Sequence, residues 1–193
     1  MRIFLCRHGQ TIGDVEDRYG GDYNDSLTEK GAEQAKTLAS KLEGKSIEII
    51  FSSSLNRAKE TSEILTNSLS CEIEVINNIR ERNTYGILTG MLKSEAREKY
   101  PQEAELLKSY KNTIEGAETY EHFTERITNA FLELANRNYD VIAVVSHGGP
   151  IRCLFREFFK WGEIKELRDC ALFEIEKTGD KFELVSVTNA SLE

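Results

Sequence analysis

Two prolines and 13 glycines in 193 residues leave no Pro- or Gly-rich stretch to divide the chain, and there is no internal repeat or low-complexity segment. A single domain over 1–193 is therefore expected. No apolar run approaches the roughly 18–20 residues that cross a bilayer. The opening Met1-Arg2-Ile3-Phe4-Leu5-Cys6-Arg7-His8 is too short and charged too early for a signal peptide, so a cytoplasmic location is expected. The four cysteines form no Cys-x-x-Cys pair, and Cys6 and Cys153 lie in or beside apolar runs, as reduced buried thiols do. Positive charge is in deficit: 25 Lys+Arg against 33 Asp+Glu leave a net charge of −8. That balance argues against nucleic acid or an anionic membrane as partner. An anionic substrate would need a local cationic pocket working against the global field. Also missing are a Gly-x-Ser-x-Gly elbow, a phosphate-binding P-loop, and an arginine six residues after Cys6 for a cysteine-based phosphatase.

What is present supports a packed core, with 39% hydrophobic and 30% charged residues. Ile3-Phe4-Leu5-Cys6 and Val141-Ile142-Ala143-Val144-Val145 are continuous apolar runs, the pattern of strands buried on both faces. Residues 47–51 make another strand, and Glu72-Ile73-Glu74-Val75 alternates like an exposed edge. Residues 171–176 and 182–188 predict a hairpin around Thr178-Gly179-Asp180. Helices fall between: one capped by Thr28, one over 55–67, two short ones broken at Pro101, one over 118–137, and a long last helix with Pro150 at its first position. The order predicts an α/β sandwich with a largely parallel sheet and an antiparallel end.

In such folds ligands bind beyond the carboxyl ends of the strands. Two of the three histidines, His8 and His147, directly follow the two strongest strands; if those strands are neighbours, both imidazoles emerge at one sheet edge. Arg7-His8-Gly9 suits phosphate chemistry: an imidazole to attack phosphorus, a guanidinium to clamp oxygens, and a glycine for close backbone approach. Ser146-His147-Gly148-Gly149-Pro150 repeats that logic and opens a helix whose first N–H groups suit an anion. Ser53-Ser54-Leu55-Asn56-Arg57-Ala58 places an arginine in the first turn after a strand, where the helix dipole offers it nothing and a bound anion would explain it. Leu27-Thr28-Glu29-Lys30-Gly31-Ala32-Glu33-Gln34-Ala35 completes the set.

In this order, from Arg2 to about Val187, these segments resemble the histidine phosphatase superfamily, the phosphoglycerate mutase-like proteins, in its phosphatase branch. The resemblance implies a three-layer α/β/α sandwich with a six-stranded, mostly parallel sheet of order 3-2-4-1-5-6, strand 5 antiparallel. It implies His8 as phosphorylated nucleophile, Arg7, Arg57 and a protonated His147 around the phosphate, and Glu81 as proton donor. Gly148, Gly21, Arg18 and Lys93 match further positions lining the site. It implies a helical insert over about 83–118 that covers the site, and no metal. Neither histidine has clustered Cys or carboxylate neighbours in the sequence that would make it a metal ligand.

Four positions depart from the pattern. Gln10 stands for a common glutamate, Asp14 for an asparagine that binds phosphate, and Thr89 for a glutamate or glutamine. The loop after Glu81 is one residue longer, so the donor would be re-aimed. Asp14 would either repel a phosphate, turn toward Arg18, or cap a local turn. The activity expected is hydrolysis of a small phosphorylated metabolite without a cofactor. The alternatives are a phosphoglycerate mutase, which would use 2,3-bisphosphoglycerate, and a phospho-ligand binding module. His147-Gly148-Gly149 favours the phosphatase. Tyr85-Gly86-Ile87-Leu88-Thr89-Gly90 with Lys93 is mutase-like. Lys93, Arg97, Lys99, Lys108 and Lys111 on the insert would suit a second anionic group. Oligomeric state is not legible.

Overall fold

The computed structural model describes residues 1–193. The elements run β1 (Arg2–Arg7), α1 (Ile12–Val15), α2 (Glu29–Leu42), β2 (Ile49–Ser53), α3 (Asn56–Leu69), β3 (Glu72–Ile76), α4 (Lys93–Lys99), α5 (Pro101–Leu106), α6 (Tyr120–Ala135), β4 (Val141–Ser146), α7 (Gly148–Cys153), β5 (Ile164–Thr178) and β6 (Lys181–Leu192). The six strands form one sheet of order β3-β2-β4-β1-β5-β6, as the resemblance implies, and β5 is the antiparallel strand.

Strand alternation builds two cores. Ile3, Leu5, Ile49, Phe51, Ile142 and Val144 face α6 and α7, where Phe123, Ile127, Phe131 and Ile151 meet them. Phe4, Cys6, Ile50, Ala143 and Val145 face the other way, onto Ala35, Leu38 and Leu42 of α2 and Ala58 and Leu65 of α3. Each fully buried Leu, Ile or Phe contributes roughly 1.5–3 kcal/mol of burial. Thr28 caps α2 by accepting the Gly31 N–H, and Thr119 caps α6 by accepting that of His122. No helix is long and apolar enough to cross a membrane.

Three details differ from the sequence reading. The last helix starts at Gly148, with His147 as N-cap, so Pro150 is third rather than first. A proline is tolerated there because the first turn's N–H groups have no intrahelical acceptor. That helix passes into a π turn over Leu154–Phe158. The hairpin strands are longer than expected, because a break in register between Leu167 and Leu172 interrupts the alternation of β5.

What matters for the site is that β1, β2 and β4 are adjacent and parallel, with Arg7 opposite Ser146. Residues following all three strands therefore meet at one edge. Over that edge lies the insert, with α4, α5 and a small cluster of Tyr19, Leu88, Ala96 and Ile114.

Candidate active site

His8 emerges from β1 almost fully buried. Its Nδ1 lies 2.7 Å from the Gly9 carbonyl, which only accepts, so the proton is on Nδ1. The lone pair is therefore on Nε2, where it meets Arg57 Nε–H at 3.2 Å. Burial first, then the charges of Arg57 and Arg7, hold the His8 pKa well below the usual imidazole value. The ring is a neutral base with a fixed tautomer.

Arg57 is placed by α3 and held by its outer nitrogens. Nη1 donates to Tyr23 O at 2.6 Å and pairs with Asp25 at 3.0 Å, and Nη2 donates to Gly21 O at 2.7 Å. Only Nε is turned to His8. Arg7 is fixed the same way: Nη1 donates to Leu167 O at 2.7 Å, Nη2 lies 3.3 Å from Asp169, and Nε is buried without a partner. Arg7 thus keeps its inner N–H for a ligand, while that of Arg57 rests on the His8 lone pair.

His147 follows β4, its ring centroid 5.0 Å from that of His8. Nε2 is 2.6 Å from Ser53 Oγ, while Nδ1 is buried without a partner. Burial, with Arg57, His8 and Arg7 around it, holds its pKa well below the usual value. That direction keeps the ring neutral in the free protein, so the protonated His147 that the resemblance implies would need the charge of a bound phosphate.

Glu81 stands across the site. Gly149 N–H donates to Oε2 at 2.9 Å and Arg82 N–H to Oε1 at 2.8 Å. Burial pushes its pKa up, against the downward pull of those two N–H groups and of Arg57 and Arg7. Its loop is moored by Ser146 Oγ donating to Ile79 O at 2.7 Å. The loop after Glu81 is braced by Asn83, whose Oδ1 takes the Gly86 N–H and the Thr89 hydroxyl. Arg82, buried, ties the loop to the insert through Tyr110, Asn112 and Glu118 carbonyls.

A cavity of about 230 Å³ gathers His8, Arg7, Arg57, Glu81, Gly148, Gly21, Arg18 and Lys93 on its wall, with Asp14 and Tyr85. Residues 3–190 match the histidine phosphatase superfamily (branch 1). The chain belongs to that superfamily. The metal-independent phosphoserine phosphatase of Arabidopsis thaliana is 30% identical over 159 residues, 79% of this chain and 66% of that one. The match thus spans just under two thirds of the plant protein. The probable phosphoglycerate mutase GpmB of Salmonella choleraesuis (strain SC-B67) is 28% identical over 184 residues, 91% of this chain and 85% of that one. Among solved structures, Bacillus stearothermophilus YhfR superposes with a TM-score of 0.85 at 25% identity, covering 95% of this chain and 94% of that one. The chain is an enzyme of this phosphatase and phosphoglycerate mutase-like type.

In this superfamily member the catalytic and phosphate-binding residues expected from the sequence all reach the cavity wall except His147, which meets His8 ring to ring, whereas Arg97, Lys99, Lys108 and Lys111 of the insert do not line it. Gly149 N–H does not face the phosphate position, as was expected, but is spent on the Glu81 carboxyl. The entrance cations are already engaged. Lys93 bonds Asp17, and Arg18 bonds Glu16 and the Gly90 carbonyl. Asp14 takes the capping course: its Oδ2 accepts the Thr11 N–H while Thr11 Oγ accepts its own N–H. His122 sits in the first turn of α6, not mid-helix, bonded to Glu118 and far more exposed than the site histidines.

The residues that hold the site were missed. Asp25 neutralises Arg57, Asp169 pairs with Arg7, and Ser53 binds His147. Gln34 was seen only as part of a motif. Its Oε1 takes the Gln10 N–H, and its Nε2 reaches Asp169 at 3.4 Å. Gly9 and Gly31 let α2 press on the loop after β1: a Cβ at Gly31 would lie 2.1 Å from Gln10 O. A buried arginine demands a carboxylate, and that demand was the one available signal for Asp25.

Proposed function

We propose that the chain hydrolyses small phosphomonoesters through a phosphohistidine on His8. The observation that carries this is the His8 tautomer: Nδ1–H is tied to Gly9 O, so the nucleophilic lone pair is at Nε2, beside the inner N–H of Arg57. In the first step Nε2 forms a bond to phosphorus as the ester P–O bond breaks. The leaving oxygen takes the proton that Glu81 carries, which its desolvated carboxyl favours. In the second step a water attacks phosphorus, Glu81 as carboxylate accepts its proton, and the P–N bond breaks to release inorganic phosphate and the neutral imidazole. Arg57 Nε and Arg7 Nε donate to the equatorial oxygens, where charge must be stabilised for phosphoryl transfer. Both guanidiniums are held rigid by Asp25 and Asp169, so little reorganisation is needed.

Phosphoserine, the substrate named for the Arabidopsis relative, is the first compound to assay. Incubation with 3-phosphoglycerate, with and without 2,3-bisphosphoglycerate, separates the readings. Net phosphate release supports hydrolysis, isomerisation without release supports the mutase, and binding without either supports a phospho-ligand module.

A further inference from the structure

His147 is wholly buried and its ring nitrogens have unequal fates: Nε2 meets Ser53 Oγ at 2.6 Å, and Nδ1 meets no partner. Which nitrogen carries the proton follows from the serine. Ser53 ends β2 and is also wholly buried, away from water. Its oxygen receives the Leu55 N–H at 3.4 Å, and the hydroxyl hydrogen has one acceptor in reach, His147 Nε2. Turning that hydrogen elsewhere would leave two buried groups unpaired, the hydroxyl hydrogen and the Nδ1 lone pair, where the other tautomer leaves only the Nδ1–H. So the hydroxyl donates, Nε2 accepts, and the imidazole proton resides on Nδ1.

We propose that Ser53 is a positioning residue that holds His147 as its Nδ1–H tautomer, so that the ring presents a hydrogen-bond donor to the transferring phosphoryl group. The inference rests on the phosphoryl-transfer reading above. It explains how an imidazole whose pKa is pushed far down can still serve an anion: a neutral ring offers one N–H, and Ser53 decides where it is. It also accounts for a buried nitrogen left unpaired 5.0 Å, ring to ring, from the nucleophile.

The direct test is the long-range ¹H–¹⁵N spectrum of the ¹⁵N-labelled wild-type protein near neutral pH. With three histidines in the chain, His122→Asn removes the exposed one and leaves two to assign. The proposal expects His147 to show a protonated Nδ1 and a bare Nε2. A proton on Nε2 in a protein that releases phosphate overturns this inference alone. A protein that releases no phosphate overturns the hydrolase reading instead. In Ser53→Ala the tautomer should shift toward Nε2–H and kcat/KM should fall roughly a hundredfold, the lower end of the range for a lost oriented donor. Ser53→Thr, which keeps the hydroxyl, should restore most of it. A Ser53→Ala protein with unchanged tautomer and unchanged kcat/KM would overturn the proposal. If that variant does not fold, the wild-type spectrum still decides.

Discussion

Gly149 and Glu81 fit each other: the Gly149 N–H holds Glu81 Oε2 at 2.9 Å, and a Cβ on residue 149 would stand 2.1 Å from Oε1. The second glycine after His147 thus serves the opposite wall of the site. Gly149→Ala should push the carboxyl away from the leaving oxygen. We expect kcat to fall about 10²-fold or more, the scale of lost general acid catalysis. The inhibition constant of inorganic phosphate should change little, because Arg7 and Arg57 are untouched. Steady-state kinetics with phosphate as inhibitor reads both, and an unchanged kcat would show that Glu81 is not the proton donor.

The two central strands and the histidines at their ends were legible from long apolar runs, a strong local signal, whereas the sheet order that makes those strands neighbours came from the family resemblance. Ser53, Asp25 and Asp169 were not. Their work is to saturate groups contributed by distant segments: Asp25 meets Arg57 across 32 residues, and Ser53 meets His147 across 94. No spacing rule announces such a partner. The burial that holds His147 neutral in the free protein was likewise not legible, since burial is a property of the assembled fold. Gly149 was read as an anion donor because a helix N-terminus invites that reading, and only the position of Glu81 shows otherwise.

Asp14 lines the cavity and caps Thr11 through one oxygen. An asparagine keeps an oxygen for that cap, so Asp14→Asn removes charge with little loss of structure. A unit charge a few ångströms away is worth about 1 kcal/mol in water. Inorganic phosphate should therefore inhibit Asp14→Asn severalfold more tightly than wild type at low salt, and equal inhibition constants would rule out repulsion at this position.

His8 and His147 are both held neutral by burial, below the ordinary value of 6.5. Below that pH the unfolded chain binds two protons that the fold refuses. Stability is therefore full above 6.5 and falls as pH drops, by up to about 2.7 kcal/mol per unit for two protons. Glu81, raised by burial, acts oppositely: its contribution is present below 4.5 and lost as pH rises through its folded value. Chemical denaturation between pH 7.5 and 5.5 measures the slope. His8→Gln should make it shallower by about half, and an unchanged slope would show that His8 does not resist protonation.

No group of three His, Cys, Asp or Glu side chains is placed to hold a metal ion. Phosphate release should survive EDTA and dialysis, measured as turnover before and after. A loss restored by one divalent cation would contradict the arginine-based mechanism.

The most direct test is rapid-quench labelling with a ³²P-phosphomonoester, followed by acid and alkali treatment and peptide mapping. An acid-labile, alkali-stable label on the peptide carrying His8, formed within the first turnover and absent from His8→Ala, is the expected result. Phosphate release at the full wild-type rate by His8→Ala, or turnover with no label on His8, would contradict covalent catalysis at this residue.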